Sequence, residues 1–151
     1  MGNMRFKVDR GILSGAILLA VFSALTVSGL LSTQRVLSSS GSVKAINVEV
    51  YWDLACTQVV SSIDWGVPEP GDSVLKTVYV KNTGTAPMTL NMSCSGWSPA
   101  QAENYLTVSW DRDEAVVNGG SVLQAVLTLS VSDTITGITD FSFDIVIAGT
   151  G

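Results

Sequence analysis

Val122-Leu123-Gln124-Ala125-Val126-Leu127-Thr128-Leu129-Ser130-Val131 decides the fold. Leu123, Ala125, Leu127, Leu129 and Val131 fall on one face, and Gln124, Thr128 and Ser130 on the other. A period of two belongs to a pleated strand with one buried face; a helix of this length would repeat at 3.6. Downstream, Phe141, Phe143, Ile145 and Ile147 alternate with Ser142, Asp144 and Val146. Upstream, Tyr105 to Trp110 forms a short strand, separated from the long one by the charged turn Asp111-Arg112-Asp113-Glu114 and by Asn118-Gly119-Gly120.

Further toward the N-terminus the same reading gives strands over Met88 to Cys94, with Met88, Leu90, Met92 and Cys94 on one face, over Ser73 to Lys81, and over Gln58 to Trp65. Pro68-Glu69-Pro70-Gly71-Asp72 stops one strand, because proline withholds a ladder donor and glycine allows a tight bend. Asn82-Thr83-Gly84-Thr85-Ala86-Pro87 stops another. The earliest alternation is Val43 to Trp52, with Ile46, Val48, Val50 and Trp52 expected on one face of a single strand. Seven to eight short strands, with turns about every ten residues and no amphipathic helix beyond a turn near Pro99 to Asn104, predict an all-β, two-sheet β-sandwich of jelly-roll or Greek-key topology.

Ahead of the strands lies a segment of another kind. Ile12 to Leu31 is twenty residues without a charge, and a helix of that length rises about 30 Å, the thickness of a bilayer's hydrocarbon core. Arg5, Lys7 and Arg10 precede it, so the positive-inside bias keeps the N-terminus in the cytoplasm and sends the rest outward. The sequence therefore divides into residues 1–35, a signal peptide or a transmembrane anchor; 36–42, a Ser/Gly flexible linker; and 43–151, one extracellular domain. Cleavage near Ser28-Gly29 or Leu31-Ser32, cleavage at Arg10-Gly11 and retention all remain open readings.

Charge and chemistry narrow the function. Hydrophobic residues make up 46% of the chain and charged ones 14%, against about 25% charged in ordinary soluble domains. Beyond Val36, four cations, Lys44, Lys76, Lys81 and Arg112, face twelve carboxylates. So acidic a domain disfavours nucleic acid and anionic lipid, which are bound through clustered Lys and Arg. Histidine is absent, which removes the usual general base and zinc ligand. Asp111, Asp113 and Glu114 read as a solvated turn, and no phosphate loop or dinucleotide fingerprint occurs. Neither an enzyme nor a cofactor is expected.

Cys56 and Cys94 are the only cysteines, and a pair in an exported domain predicts a disulfide. It would close a loop of 38 residues and stabilise the fold by about 3 to 4 kcal/mol. Asn91-Met92-Ser93 is an N-x-S sequon on a solvent face, marking Asn91 as a glycan acceptor. Among the four tryptophans, Trp52 and Trp110 run in phase with core residues, while Trp97, in Ser95-Gly96-Trp97-Ser98-Pro99, is the one expected to be exposed.

Glu69-Pro70-Gly71-Asp72-Ser73-Val74, followed by Val78-Tyr79-Val80-Lys81-Asn82-Thr83-Gly84 and Met88-Thr89-Leu90, resembles the TasA/camelysin family of secreted biofilm fibre proteins. It is similar also to archaeal bundling-pilus subunits. The resemblance covers Val43 to Cys94 and rests on the turn residues Pro70, Gly71, Asp72, Asn82 and Gly84. It implies a jelly roll assembled by donor-strand complementation, in which the N-terminal strand of one subunit completes a sheet of the next. The protease activity described for camelysin gains no support from a chain without histidine. On this reading Ile46, Val48, Val50 and Trp52 are the inserted side chains, and the function is that of a subunit of an extracellular filament or biofilm matrix fibre. The alternative is a monomeric, membrane-tethered surface binding or adhesion module.

Overall fold

A computed structural model describes residues 38–151. The apolar run Ile12 to Leu31, its cleavage or retention, and the first residues of the expected linker lie outside the described residues. Within them, no helix is long and apolar enough to cross a membrane.

Among the described residues nine strands form two sheets: β1 (Ser38–Ile46), β2 (Glu49–Tyr51), β3 (Ser62–Gly66), β4 (Ser73–Lys81), β5 (Met88–Ser98), β6 (Leu106–Trp110), β7 (Val116–Val117), β8 (Val122–Val131) and β9 (Asp140–Thr150). One sheet has the order β3-β1-β9-β5-β7 and the other β2-β4-β8-β6. Every pairing is antiparallel except β1 with β9, which is parallel. A short 3-10 helix, Ala100–Asn104, links β5 to β6.

The alternating residues of β8 and β9 supply the core. Ala125, Leu127, Leu129 and Val131 project inward from one sheet, and Phe141, Phe143, Ile145 and Ile147 from the other. Leu90, Val78, Val80 and Ile63 fill the space between them. At one end the rings stack: Trp97 on Phe143 at 4.3 Å between centroids, with Trp65 and Phe141 at 6.3 and 6.2 Å from Phe143. Trp97 is thus half-buried rather than the exposed ring expected. Offset stacking of this kind adds to what area burial alone provides.

Two expectations about the N-terminal part are corrected. Ser38 to Ser42 is not linker but the first half of β1. Its small residues are a packing requirement, since a Cβ added at Gly41 would lie 3.2 Å from Trp65 Nε1 and 3.5 Å from the Phe143 ring. Ser39 is buried and its hydroxyl donates to Gly66 O at 3.0 Å. The residues that look like a flexible tether are the ones a strand needs where it passes beneath two large rings.

Nor is Val43 to Trp52 one strand. It breaks at Asn47, whose φ of 60° lies in the left-handed region and whose Nδ2 donates to Gly149 O at 3.1 Å. Asparagine tolerates that conformation better than most residues with a side chain. The chain there crosses from the five-stranded sheet to the four-stranded one, and the period-two frame is lost. Val48 and Val50 enter the core at 5% and 2% exposure, whereas Ile46 and Trp52 stand at the surface at 51% and 36%.

Candidate functional site

The feature that distinguishes this sandwich is the position of its first described strand. β1 occupies an interior slot, parallel to β9 from Ser38↔Asp140 to Ile46↔Ala148 and antiparallel to β3 from Ser39↔Gly66 to Ser42↔Ser62. Its peptide groups are therefore committed on both sides over Ser39 to Ser42, while its side chains contribute little apolar burial. Ser39 and Gly41 face inward, Val43 is half-buried, and Ala45 and Ile46 are exposed. Backbone ladders, rather than large side chains, seat this strand.

On the outer face one polar clamp adds to the ladders. The Asp144 carboxylate of β9 accepts a hydrogen bond from the Ser42 hydroxyl and pairs with Lys44 Nζ at 2.9 Å. Those two donors, the hydroxyl first and then the ammonium, hold the Asp144 carboxyl below its usual range despite some desolvation. A hydrogen bond to the charged form favours that form. The strand ends at the Asn47 crossover.

The two turns on either side of β4 are fixed by their own residues. Glu69 to Asp72 closes with Asp72 N donating to Glu69 O at 3.0 Å, and Gly71 takes φ 88° after Pro70, the type II pattern. The Asp72 carboxylate accepts Glu69 N at 2.8 Å, and Val131 N donates to Asp72 O at 2.8 Å, fixing the turn to the end of β8. Asn82 is fully buried. Its Nδ2 donates to Ala86 O at 2.7 Å and Val117 O at 3.0 Å, and its Oδ1 accepts Gly84 N at 2.9 Å. Pro70, Gly71, Asp72, Asn82 and Gly84 are thus structural positions.

Cys56 and Cys94 are both free and are not at disulfide distance, which corrects the expected bridge. Cys56, at φ 57°, sits in the loop between β2 and β3, a loop organised by Asp53, whose carboxylate accepts Thr57 N, Thr57 Oγ1 and Gln58 N. Cys94 lies in the middle of β5, and burial pushes its thiol up to about 11. Even spacing in sequence says nothing about which loop a cysteine occupies. Asn91 is exposed on β5, as a glycan acceptor requires.

Catalytic and metal chemistry find no focus among the described residues. No group of three Cys, Asp or Glu side chains is placed to hold a metal ion. In the acidic turn, the Asp111 carboxylate accepts Val126 N at 2.8 Å and Arg112 Nε donates to Gln124 O at 2.6 Å, so both side chains brace β8. Sequence reasoning missed Ser39, Gly41, Asn47 and Asp144, the residues that seat and bound β1; a glycine flanked by serines directly before an alternating run is the signal that was present. Neither a scan against models of known protein families nor a search of curated proteins finds a match to this chain.

Proposed function

We propose that this chain is a structural subunit of an extracellular filament or biofilm matrix fibre, exported through its apolar segment and assembled by exchange of its N-terminal strand. The observation that carries the reading is the seating of β1 in an interior slot by ladders and by the Ser42–Asp144–Lys44 clamp. A second copy of β1 offers the same partners, so moving the strand between subunits conserves the contacts and, among the described residues, requires the Asn47 crossover to rearrange. Strand addition of this kind gains its affinity from main-chain hydrogen bonds.

The inserted segment differs from the one expected. Val48 and Val50 belong to the core beyond the crossover, so the donor is Ser38–Ile46, with Ser39, Gly41 and Val43 facing inward. The sandwich on this reading is the jelly roll of the TasA/camelysin and bundling-pilus subunits. One observation favours the alternative of a monomeric membrane-tethered surface module: a single chain closes its own slot with its own β1. Electron microscopy of cells expressing the full chain separates the two. Filaments that vanish when Ser38–Ile46 is deleted support exchange, and a bare cell surface at high expression of the intact chain rejects it.

A further inference from the structure

The edges of the two sheets are not treated alike. β2 is covered by the returning segment, with Trp52 N donating to Gln58 O at 2.8 Å and Val60 N to Val50 O at 2.9 Å. β3 carries Asp64 at its centre, and its register with β1 is irregular. These are familiar ways of blunting an edge. On the opposite side β5 is covered only as far as Leu90 and is irregular only beyond Ser95, so Met92 to Cys94 and β6 have neither device.

There β7 spans only two residues and covers β5 no further than Leu90, whose N–H donates to Ala115 O at 2.8 Å. That bond sets the phase: Met92 and Cys94 continue the same outward row of peptide groups with no strand beside them among the described residues. On the other sheet, Ser132 N to Tyr105 O and Asp111 N to Val126 O place the odd-numbered residues against β8. The peptide groups of Leu106, Val108 and Trp110 therefore point away from the sheet. Neither Met92–Ser95 nor Leu106–Trp110 contains a charge or a proline.

Between the two rims lies a groove of about 240 Å³ lined by Met92, Val108, Ser109, Trp110 and Asp113. The Trp110 indole N–H is buried beside it with no acceptor, although a buried donor ordinarily finds a partner. β4 and β5 run in opposite directions across the Asn82–Pro87 connection, and β6 is parallel to β4 because both are antiparallel to β8. The two rims are consequently antiparallel to one another.

A single added strand satisfies one rim and leaves the other bare, because the rims belong to different sheets. A second sandwich satisfies both. A twofold axis along the strand direction sets β5 of one molecule beside β6 of the other at two equivalent junctions, each antiparallel, as an isologous contact requires. We propose that this side of the sandwich is a lateral docking surface for a second copy of the same chain, joining β5 to β6 across the twofold. This pairing is independent of β1, which is separated from the open rim by β9 and β5.

The test is amide hydrogen exchange on the full chain in detergent across a hundredfold range of concentration, with sedimentation for mass. Pairing predicts a dimer whose amides at Met92, Cys94, Leu106, Val108 and Trp110 exchange at least tenfold more slowly at high concentration than on dilution. The double variant Met92→Lys/Val108→Lys should be monomeric with fast exchange at those amides and unchanged protection at Val78 and Leu127. Fast, concentration-independent exchange of the five amides in the wild type overturns the proposal, as does a dimer that survives in the variant. Should the variant lose protection at Val78 and Leu127, the wild-type exchange alone decides. Assembly through β1 leaves these five amides exposed, so the two readings fail separately.

Discussion

Replacing Asn82 with alanine removes three hydrogen bonds at one point: those to Ala86 O and Val117 O, and the one accepted from Gly84 N. The bond to Val117 O is fully buried, and the other two are partly buried. A net contribution of about 1 kcal/mol per bond, with about 1 to 3 kcal/mol more for a buried carbonyl left unpaired, gives a loss of about 4 to 6 kcal/mol. Against a domain stability of about 5 to 15 kcal/mol this is a large fraction. Urea unfolding followed by tryptophan fluorescence measures it, with the slope of the transition checked for constancy. Asn82→Asp supplies a second arm: its carboxylate would face two carbonyl oxygens, so its folded-state pKa rises. Its stability should then recover as pH falls below that raised value, because the protonated acid can donate again. A loss below about 1 kcal/mol in Asn82→Ala would refute the assignment of Asn82 as the staple of the β4–β5 connection.

Three further outcomes are expected. Iodoacetamide at pH 8 should modify two thiols in the non-reduced native protein, Cys56 well ahead of Cys94, whose thiol burial holds near 11; an unmodified protein that gains two adducts only after reduction would restore the disulfide. Gly119→Ala should destabilise by several kcal/mol, roughly the range of severe steric changes, since its Cβ would lie 2.4 Å from the Thr85 carbonyl carbon and oxygen, and backbone cannot swing aside. Gly120→Ala, strained by φ 71° but free of contacts, should cost only about 1 kcal/mol. The lowered Asp144 carboxyl contributes stability above its unfolded value, near 4, and that contribution is lost as pH falls through the lower folded value. Asp144→Asn should therefore flatten the acid limb of a stability-against-pH curve, and an unaltered limb would remove the clamp from the account.

The strands with one buried face were legible because period two survives wherever a strand stays in one sheet. β4 and β8 were read almost to the residue, and the Pro70-Gly71-Asp72 and Asn82 turns were marked by residue types that tolerate the bend. β1 was illegible for a physical reason. Its inward residues, Ser39 and Gly41, are small because Trp65 and Phe143 lie over them, and these two rings come from distant parts of the chain. The crossover at Asn47 was hidden similarly, since the residues before and after it keep an apolar alternation although they belong to different sheets. The pairing of Cys56 with Cys94 failed because parity and export argue for a bridge without fixing a distance. In each case the missing information was tertiary: which element lies opposite.

The proposed exchange of β1 between subunits can be tested directly at one pair of positions. Ser42 and Ser62 face each other across β1 and β3, and Val43 N donating to Ser61 O at 2.9 Å makes theirs the non-hydrogen-bonded pair. In such pairs the Cα atoms lie about 4.5 Å apart, within the span of a disulfide. With Cys56 and Cys94 replaced by serine, the variant Ser42→Cys/Ser62→Cys can be oxidised on the cell surface and run on a denaturing gel without reductant. Strand exchange predicts a ladder of covalent multimers that collapses to one band on reduction. A single monomeric band containing an internal bridge would contradict it and leave β1 as an ordinary strand of its own domain.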